Sequence, residues 1–285
     1  MAKKIMIQGT ASGAGKSILT TALCRILTQD GYKVAPFKSQ NMTTVCHTLP
    51  DGRRMARSQA IAAYACKSEP NPVMNPILLM MGKDGTEVLV SGKSMGIMNL
   101  HEYKEYKKQA FNQVLEAYNR LAELNDIIII EGAGSPVELN LNKDDIVNMG
   151  LAKVVNAPVL LVSDIVRGGV FASMYGTMAL FTEEEKQLVK GLVINKFKGN
   201  TEYFKDGVAI LEELCGQPIL GVVPYTDIGL EDEDSLTDGE MKTKETIESK
   251  LKITDYNDYI QSEFDRIAAH FRANLDMPKI NDILI

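Results

Sequence analysis

The sequence predicts an α/β protein built on one doubly wound, mostly parallel β-sheet. Short apolar runs alternate with longer amphipathic stretches along the chain, which is the pattern of a parallel sheet covered by helices. Several of these runs are continuous in β-branched residues, as in strands buried on both faces. A glycine-rich turn separates the first run from the first amphipathic stretch. The 285 residues suffice for one large core.

The strands and helices can be placed in chain order. The predicted strands cover residues 5–7, 34–37, 127–130, 159–162, 191–194 and 221–224. The predicted helices cover residues 17–29, 101–124 and 259–275, where apolar residues recur at helical spacing. Residues 231–252 are acidic and polar, which favours a linker or exposed segment. We therefore expect one main domain over residues 1–236, followed by a polar linker and helical tail over residues 237–285.

Composition excludes several classes of function. The formal net charge is −6 and no basic stripe stands out, so nucleic-acid binding is not expected. The N-terminus lacks a signal-peptide pattern, and no apolar run reaches membrane-spanning length, so we expect a cytoplasmic protein without membrane contact. The four cysteines form no C-x-x-C pair, which favours reduced thiols in or near the core. The three histidines have no metal-ligand spacing.

The glycine-rich turn is a candidate phosphate-binding loop, or P-loop. Residues 9–17 read GTASGAGKS between a predicted strand and a predicted helix. Glycines allow backbone N–H groups to approach phosphate oxygens, and the helix N-terminus favours their charge. The usual G-x-x-x-x-G-K-S spacing would need glycine at Thr10, but Gly9 stands one position early. The alternative is a chance glycine-rich turn, although the flanking elements favour ATP binding. Candidate nucleotide contacts are Thr10, Gly13, Ala14, Gly15, Lys16, Ser17 and Ile18.

Three further strand ends carry polar residues. Glu131 ends a buried strand, where a carboxylate would join the Ser17 hydroxyl in holding Mg²⁺; the alternative is a glutamate in solvent. Asn195 offers a donor and an acceptor that can read the edge of a base, although asparagine is also common in turns. Asp164 and Arg167 precede two glycines, which fits either a binding site or a salt-bridged turn.

An ordered set of motifs resembles the cobyric acid synthases, in the dethiobiotin-synthetase-like branch of P-loop proteins. The motifs are PFKSQNM at 36–42, MNPILL at 74–79, EGAGSP at 131–136, DIVRGGVFA at 164–172, NKFK at 195–198, VPY at 223–225 and EDS at 233–235. The resemblance covers residues 4–236. The early lysine of partition ATPases is absent, because Ala11 and Ser12 stand there.

The resemblance implies ATP-dependent amidation of peripheral carboxylates on a corrinoid, adenosylcobyrinic acid a,c-diamide, in cobalamin biosynthesis. ATP would convert a carboxylate into an acyl phosphate, from which ammonia displaces phosphate. Lys16 and Lys38 would be the catalytic cations, with ATP and Mg²⁺ as cofactors. The implied substrate contacts are Lys38, Ser39, Gln40, Asn41, Asn75, Asp164 and Arg167.

The sequence departs from this family in several places. The family's C-terminal glutamine amidotransferase domain is not found, since neither Cys215 nor His270 stands in the required pattern. Residues 263–277 nevertheless resemble the tail that follows that domain. We therefore expect ammonia from solution or from a separate glutaminase subunit. The surface that would have packed on the missing domain should be covered by a partner, by a second copy in a homodimer, or by polar replacements. Met80 and Met81 stand where the family usually has a Lys-Pro pair. Ala56 and Ser58 replace the small residues of a G-R-A-Q-A stretch, and Asn200 stands where an aspartate is usual.

Two other functions stay open at this stage. One is a related carboxylate-activating ligase that uses a different acid. The other is a nucleotide-switched partition-type ATPase that controls assembly, against which the missing early lysine argues.

Overall fold

The fold is described from a computed structural model, which covers residues 2–83, 85–140, 145–233 and 241–285. The strands are β1 (Lys3–Gly9), β2 (Val34–Phe37), β3 (Gln40–Thr43), β4 (His47–Thr48), β5 (Arg54–Met55), β6 (Ile77–Gly82), β7 (Gly85–Val90), β8 (Lys93–Met98), β9 (Ile127–Glu131), β10 (Val159–Asp164), β11 (Val189–Phe197) and β12 (Ile219–Pro224). The helices are α1 (Lys16–Gln29), α2 (Arg57–Ala65), α3 (Leu100–Leu124), α4 (Met149–Val155), α5 (Val170–Leu180), α6 (Glu183–Leu188), α7 (Lys205–Cys215), α8 (Lys244–Leu251), α9 (Tyr256–Arg272) and α10 (Met277–Ile283).

The main sheet has six parallel strands in the order β12-β11-β10-β1-β9-β2. Successive side chains of β1 enter opposite cores. Met6 packs on the face covered by α3 and α5, whereas Ile5 and Ile7 pack on the face covered by α1 and α9. Burial on both faces explains the continuous apolar run of β9. The predicted doubly wound fold is confirmed, and its six predicted strands are the strands of this sheet.

A second, mixed sheet was missing from the sequence prediction. It has the order β3-β6-β7-β8, in which β3 pairs parallel with β6 and the other neighbours are antiparallel. β8 is largely exposed, and the pairing of β7 with β8 shifts register between Glu87 and Leu89, as at a β-bulge. The sheet begins directly after Lys38 and Ser39, so it extends the end of β2 outward.

The C-terminal helices pack firmly on the main domain. Phe264 of α9 is fully buried against the α1 face of the sheet, and Leu275 forms a bridge with Gly221 of β12. The Arg25 guanidinium of α1 lies 2.7 Å from Asp265. Part of the predicted linker is helix α8. The predicted boundary between residues 236 and 237 falls outside the described residues and stays a prediction. No described helix is both long and apolar enough to cross a membrane.

Candidate active site

The segment from Gly9 to Ser17 forms the P-loop between β1 and α1. Gly13 and Gly15 have φ values of +72° and +103°, a conformation that favours glycine. A Cβ on Gly15 would stand 1.9 Å from the Asn195 amide nitrogen, and one on Gly9 would stand 2.9 Å from Cγ of Lys16. Close packing therefore requires glycine at position 9. The Thr10 hydroxyl, at the position where the usual spacing has glycine, forms a 2.8 Å hydrogen bond with Ser163 at the end of β10.

The Lys16 side chain folds back over the P-loop. Its ammonium group donates hydrogen bonds to the carbonyl oxygens of Ala11 and Gly134, each at 2.9 Å, and the residue is 7% exposed. The pKa of Lys16 is lowered from its usual 10.5 to about 8, first by burial and then by the charge of Lys38, whereas nearby carboxylates oppose the shift. A cation that donates to neutral carbonyls can exchange these contacts for those of an anion such as phosphate.

Glu131 is the centre of the site, at the carboxyl end of β9. Its Oε1 accepts hydrogen bonds from Lys38 Nζ at 2.6 Å and from Ser17 Oγ at 2.7 Å. Its Oε2 accepts one from Gln59 Nε2 at 2.8 Å. With 1% of its surface exposed, Glu131 is not a glutamate in solvent. Three predicted residues, namely Ser17, Lys38 and Glu131, are therefore in direct contact.

Two residues of this cluster were not among the predicted site residues. Gln59 of α2 binds Glu131, and Glu233 Oε2 lies 2.6 Å from Ser17 Oγ. Both belong to segments noted in the sequence, the stretch around Ala56 and Ser58 and the EDS motif. Both are polar residues inside a family motif, which was the only sequence signal for a role in the site. No rule of sequence spacing places either of them beside the P-loop. The rest of the EDS motif lies outside the described residues.

The end of β11 braces the P-loop from the other side. Asn195 donates a 3.1 Å hydrogen bond to the Ala14 carbonyl oxygen, and its Oδ1 accepts one from the backbone of Lys196. Lys196 has a φ of +61° and its ammonium group bridges the Gly13 carbonyl oxygen at 2.7 Å and Asp164 at 2.9 Å. Asn195 is thus engaged with the loop itself, and its reading of a base stays a prediction.

The predicted substrate residues fall into two groups. Asn75 is buried, and its amide bonds the backbone of Ala56, Lys38 and Ile77, so it holds the strand end that carries Lys38. Ser39 is buried as well. In contrast, Gln40 and Asn41 are half-buried, with Gln40 accepting a hydrogen bond from Tyr103, and Arg167 is exposed in the loop after β10. Their contacts with substrate remain predictions.

The donor set fits a magnesium ion that is shared with nucleotide phosphates. Among the described residues no group of three or more His, Cys, Asp or Glu side chains forms a complete metal cage. The Ser17 hydroxyl and the Glu131 carboxylate are hard oxygen donors beside the P-loop, and Mg²⁺ in phosphate-handling sites typically uses one or two carboxylates together with waters and phosphates.

The parallel sheet, the P-loop and the buried carboxylate define a P-loop nucleotide-binding protein, which implies ATP binding. Residues 5–235 match the CobQ/CobB/MinD/ParA nucleotide binding domain, and the chain belongs to that family.

Curated relatives narrow the similarity to cobyric acid synthases. That of Lachnoclostridium phytofermentans is 46% identical over 295 residues, covering 100% of this chain and 56% of the relative. That of Ruminiclostridium cellulolyticum is 53% identical over 239 residues, covering 84% of this chain and 46% of the relative. The Clostridium botulinum (strain Loch Maree / Type A3) relative is 47% identical over 289 residues, covering 99% and 58%. The chain is thus a homologue of these enzymes and spans about half their length.

Proposed function

We propose that this chain is an ATP-dependent amide ligase of the cobyric acid synthase type. It activates peripheral carboxylates of a corrinoid, adenosylcobyrinic acid a,c-diamide, for amidation in cobalamin biosynthesis in the cytoplasm. The observation that supports this most strongly is the buried contact of Lys38 with Glu131 beside Lys16 of the P-loop. Two lysines at the phosphate end of a P-loop suit a reaction in which one anion attacks another.

The reaction has two bond-forming steps. A corrinoid carboxylate oxygen attacks the γ-phosphorus of ATP, the bond between that phosphorus and the β–γ bridging oxygen breaks, and ADP leaves with an acyl phosphate remaining. Ammonia then attacks the acyl carbon, phosphate departs with its bonding electrons, and loss of a proton leaves the amide. The substrate carboxylate is itself the nucleophile, so no side chain needs to form a covalent bond.

Each lysine has a separate role in this proposal. Lys16 binds the β- and γ-phosphates, exchanging its two carbonyl contacts for phosphate oxygens. Lys38 reduces the repulsion between the γ-phosphate and the incoming carboxylate. Ser17 and Glu131 would hold Mg²⁺, which neutralises charge on the phosphates when bound.

Corrinoid contacts are assigned to residues near Lys38 and to Arg167. Gln40 and Asn41 follow Lys38 and Ser39 on the strand that starts the second sheet. Arg167 is the exposed cation in the loop after β10, where an anionic substrate would meet it. Ammonia would come from solution or from a separate glutaminase subunit, and a homodimer remains a prediction.

Turnover with a defined acid tests the function. Purified protein is given Mg-ATP and ammonium, with and without adenosylcobyrinic acid a,c-diamide, while ADP release and corrinoid mass are followed. We expect ADP release only with the corrinoid, and a product in which carboxyl hydroxyls are replaced by amino groups. Lys38→Met should lose this turnover. Lys93→Met, which alters an exposed lysine of β8, is the matched control and should keep it.

The alternatives predict different outcomes. ATP binding without corrinoid-dependent turnover would contradict this substrate and favour another acid. Dimer formation driven by ATP alone, in the absence of any acid, would favour a partition-type switch.

A further inference from the structure

The Ser17 hydroxyl lies between two carboxylates from distant segments of the chain. Its Oγ is 2.7 Å from Oε1 of Glu131 and 2.6 Å from Oε2 of Glu233. Glu131 ends β9, whereas Glu233 lies in the loop that follows β12, so the contact draws that loop onto the first turn of α1.

A hydroxyl group cannot donate to both carboxylates. Serine has one hydroxyl proton, and an ionised carboxylate is only an acceptor. One of the two short contacts therefore sets an acceptor lone pair of Ser17 against a negatively charged oxygen. Such a contact is favourable when a positive charge lies among the three oxygens, or when one carboxylate is protonated and donates to Ser17. Lys38 already lies against Glu131, at the oxygen that Ser17 also contacts.

A cavity beside this cluster provides an independent observation. It has a volume of about 300 Å³ and is lined by Ser17, Ser58, Glu233 and neighbouring residues. Ser58 is 3% exposed, and its hydroxyl has no hydrogen-bond partner within the described parts of the chain. A buried hydroxyl without a partner is costly, so a polar ligand in this cavity would remove that cost.

We infer that Glu233 is a second carboxylate ligand of the divalent cation held by Ser17 and Glu131. The donors are hard oxygens, which favours Mg²⁺ or Mn²⁺, and the inference rests on the ATP-dependent function proposed above. The loop is fixed independently of the cation, because Arg57 donates to the Asp232 carbonyl oxygen at 3.2 Å and Tyr256 donates to Glu231 at 3.1 Å.

The consequence is a metal site assembled from two distant segments. Because Arg57 and Tyr256 already position the loop after β12, the cation would add a direct bridge between this loop and the P-loop. Loss of Glu233 should therefore weaken cation binding and leave the contacts between the P-loop and the nucleotide in place.

Manganese binding to the protein–ADP complex tests this inference without turnover. The full chain with ADP is titrated with Mn²⁺, and free Mn²⁺ is measured by its electron paramagnetic resonance signal. We compare Glu233→Gln with Glu131→Gln, and with Glu245→Gln as a control that removes the same charge from an exposed position of α8. We expect the Kd for Mn²⁺ to rise about tenfold or more in the first two variants and to change far less in the control.

The outcomes separate this inference from the proposed function. An unchanged Kd in Glu233→Gln with a raised Kd in Glu131→Gln would overturn the role of Glu233 alone. No change in either variant would also contradict the metal site of the proposed function. Metal-free ADP affinity should not fall in Glu233→Gln, because the substitution removes negative charge near the phosphates; a fall would indicate a structural role instead. Glu233→Asp, which keeps a shorter carboxylate, should bind Mn²⁺ more tightly than Glu233→Gln.

Discussion

The Lys38 ammonium group lies 2.6 Å from Oε1 of Glu131, and both side chains are buried. The main sheet explains this contact, because Phe37 of β2 pairs with Ile130 of β9. Lys38 directly follows Phe37, and Glu131 directly follows Ile130. Removing both charges from water carries a large desolvation cost, which further hydrogen bonds from Ser17 and Gln59 offset in part. The pair is therefore better explained by phosphate chemistry than by stability.

Replacing Lys38 should affect both stability and turnover. In Lys38→Met the buried Glu131 loses its cation, and we expect the free energy of unfolding to fall by about 3–5 kcal/mol. Corrinoid-dependent ADP release should be lost. The double variant Lys38→Met/Glu131→Gln should recover much of the stability but none of the turnover, as measured by urea denaturation and ADP assay. Recovery of turnover would contradict a catalytic role for Lys38.

The lowered pKa of Lys16 predicts how the stability of the ligand-free protein depends on pH. Below about pH 8, Lys16 is charged in both folded and unfolded states, and the folded state carries the full cost of burying it. Between about 8 and the usual 10.5, the unfolded state binds more protons, so the Lys16 contribution to stability rises with pH. Relative to Lys16→Met, the wild type should gain roughly 3 kcal/mol over this range. Urea denaturation across pH measures this difference, and parallel pH profiles would contradict it.

Gln59 should hold the orientation of Glu131. Gln59→Leu removes the donor to Oε2 of a buried carboxylate, and we expect a loss of about 1–3 kcal/mol together with slower turnover. Gln59→Glu should lower turnover further near neutral pH, because it sets a second carboxylate against Glu131. Gln187→Ala, on an exposed position of α6, is the control. Equal turnover in Gln59→Leu and the control would argue against this role.

The C-terminal helices should unfold together with the main sheet. Phe264 of α9 is fully buried, and Phe264→Ala should cost about 3–5 kcal/mol. Tyr203→Ala, at a residue that is 89% exposed, should be close to neutral. Thermal unfolding followed by circular dichroism should show one transition in both variants. A separate early transition would favour the predicted boundary between residues 236 and 237.

Local patterns predicted much of the fold and the centre of the site. The first strand, the P-loop and the first helix are consecutive in the sequence, so their glycines and apolar periodicity were sufficient. Glu131 was predicted from a strand end and Lys38 from the family resemblance, and the parallel register brings them together. Their mutual contact was not predicted, because it depends on β2 and β9 being neighbours.

The remainder depends on contacts between distant residues. Glu233 reaches Ser17 from 216 positions away, through a loop without secondary-structure signals. Gln59 faces Glu131 because α2 packs beside α1, which no local pattern shows. The second sheet was not predicted, because its strands are short and β8 is largely exposed, so its residues do not report burial in a core.

The fate of the carboxylate oxygen tests the central claim most directly. The corrinoid is prepared with oxygen-18 in its carboxylates and incubated with the protein, Mg-ATP and ammonium. If the carboxylate attacks the γ-phosphorus, one labelled oxygen should appear in inorganic phosphate for each amide formed. ADP and phosphate produced without the label would contradict activation of this acid as an acyl phosphate.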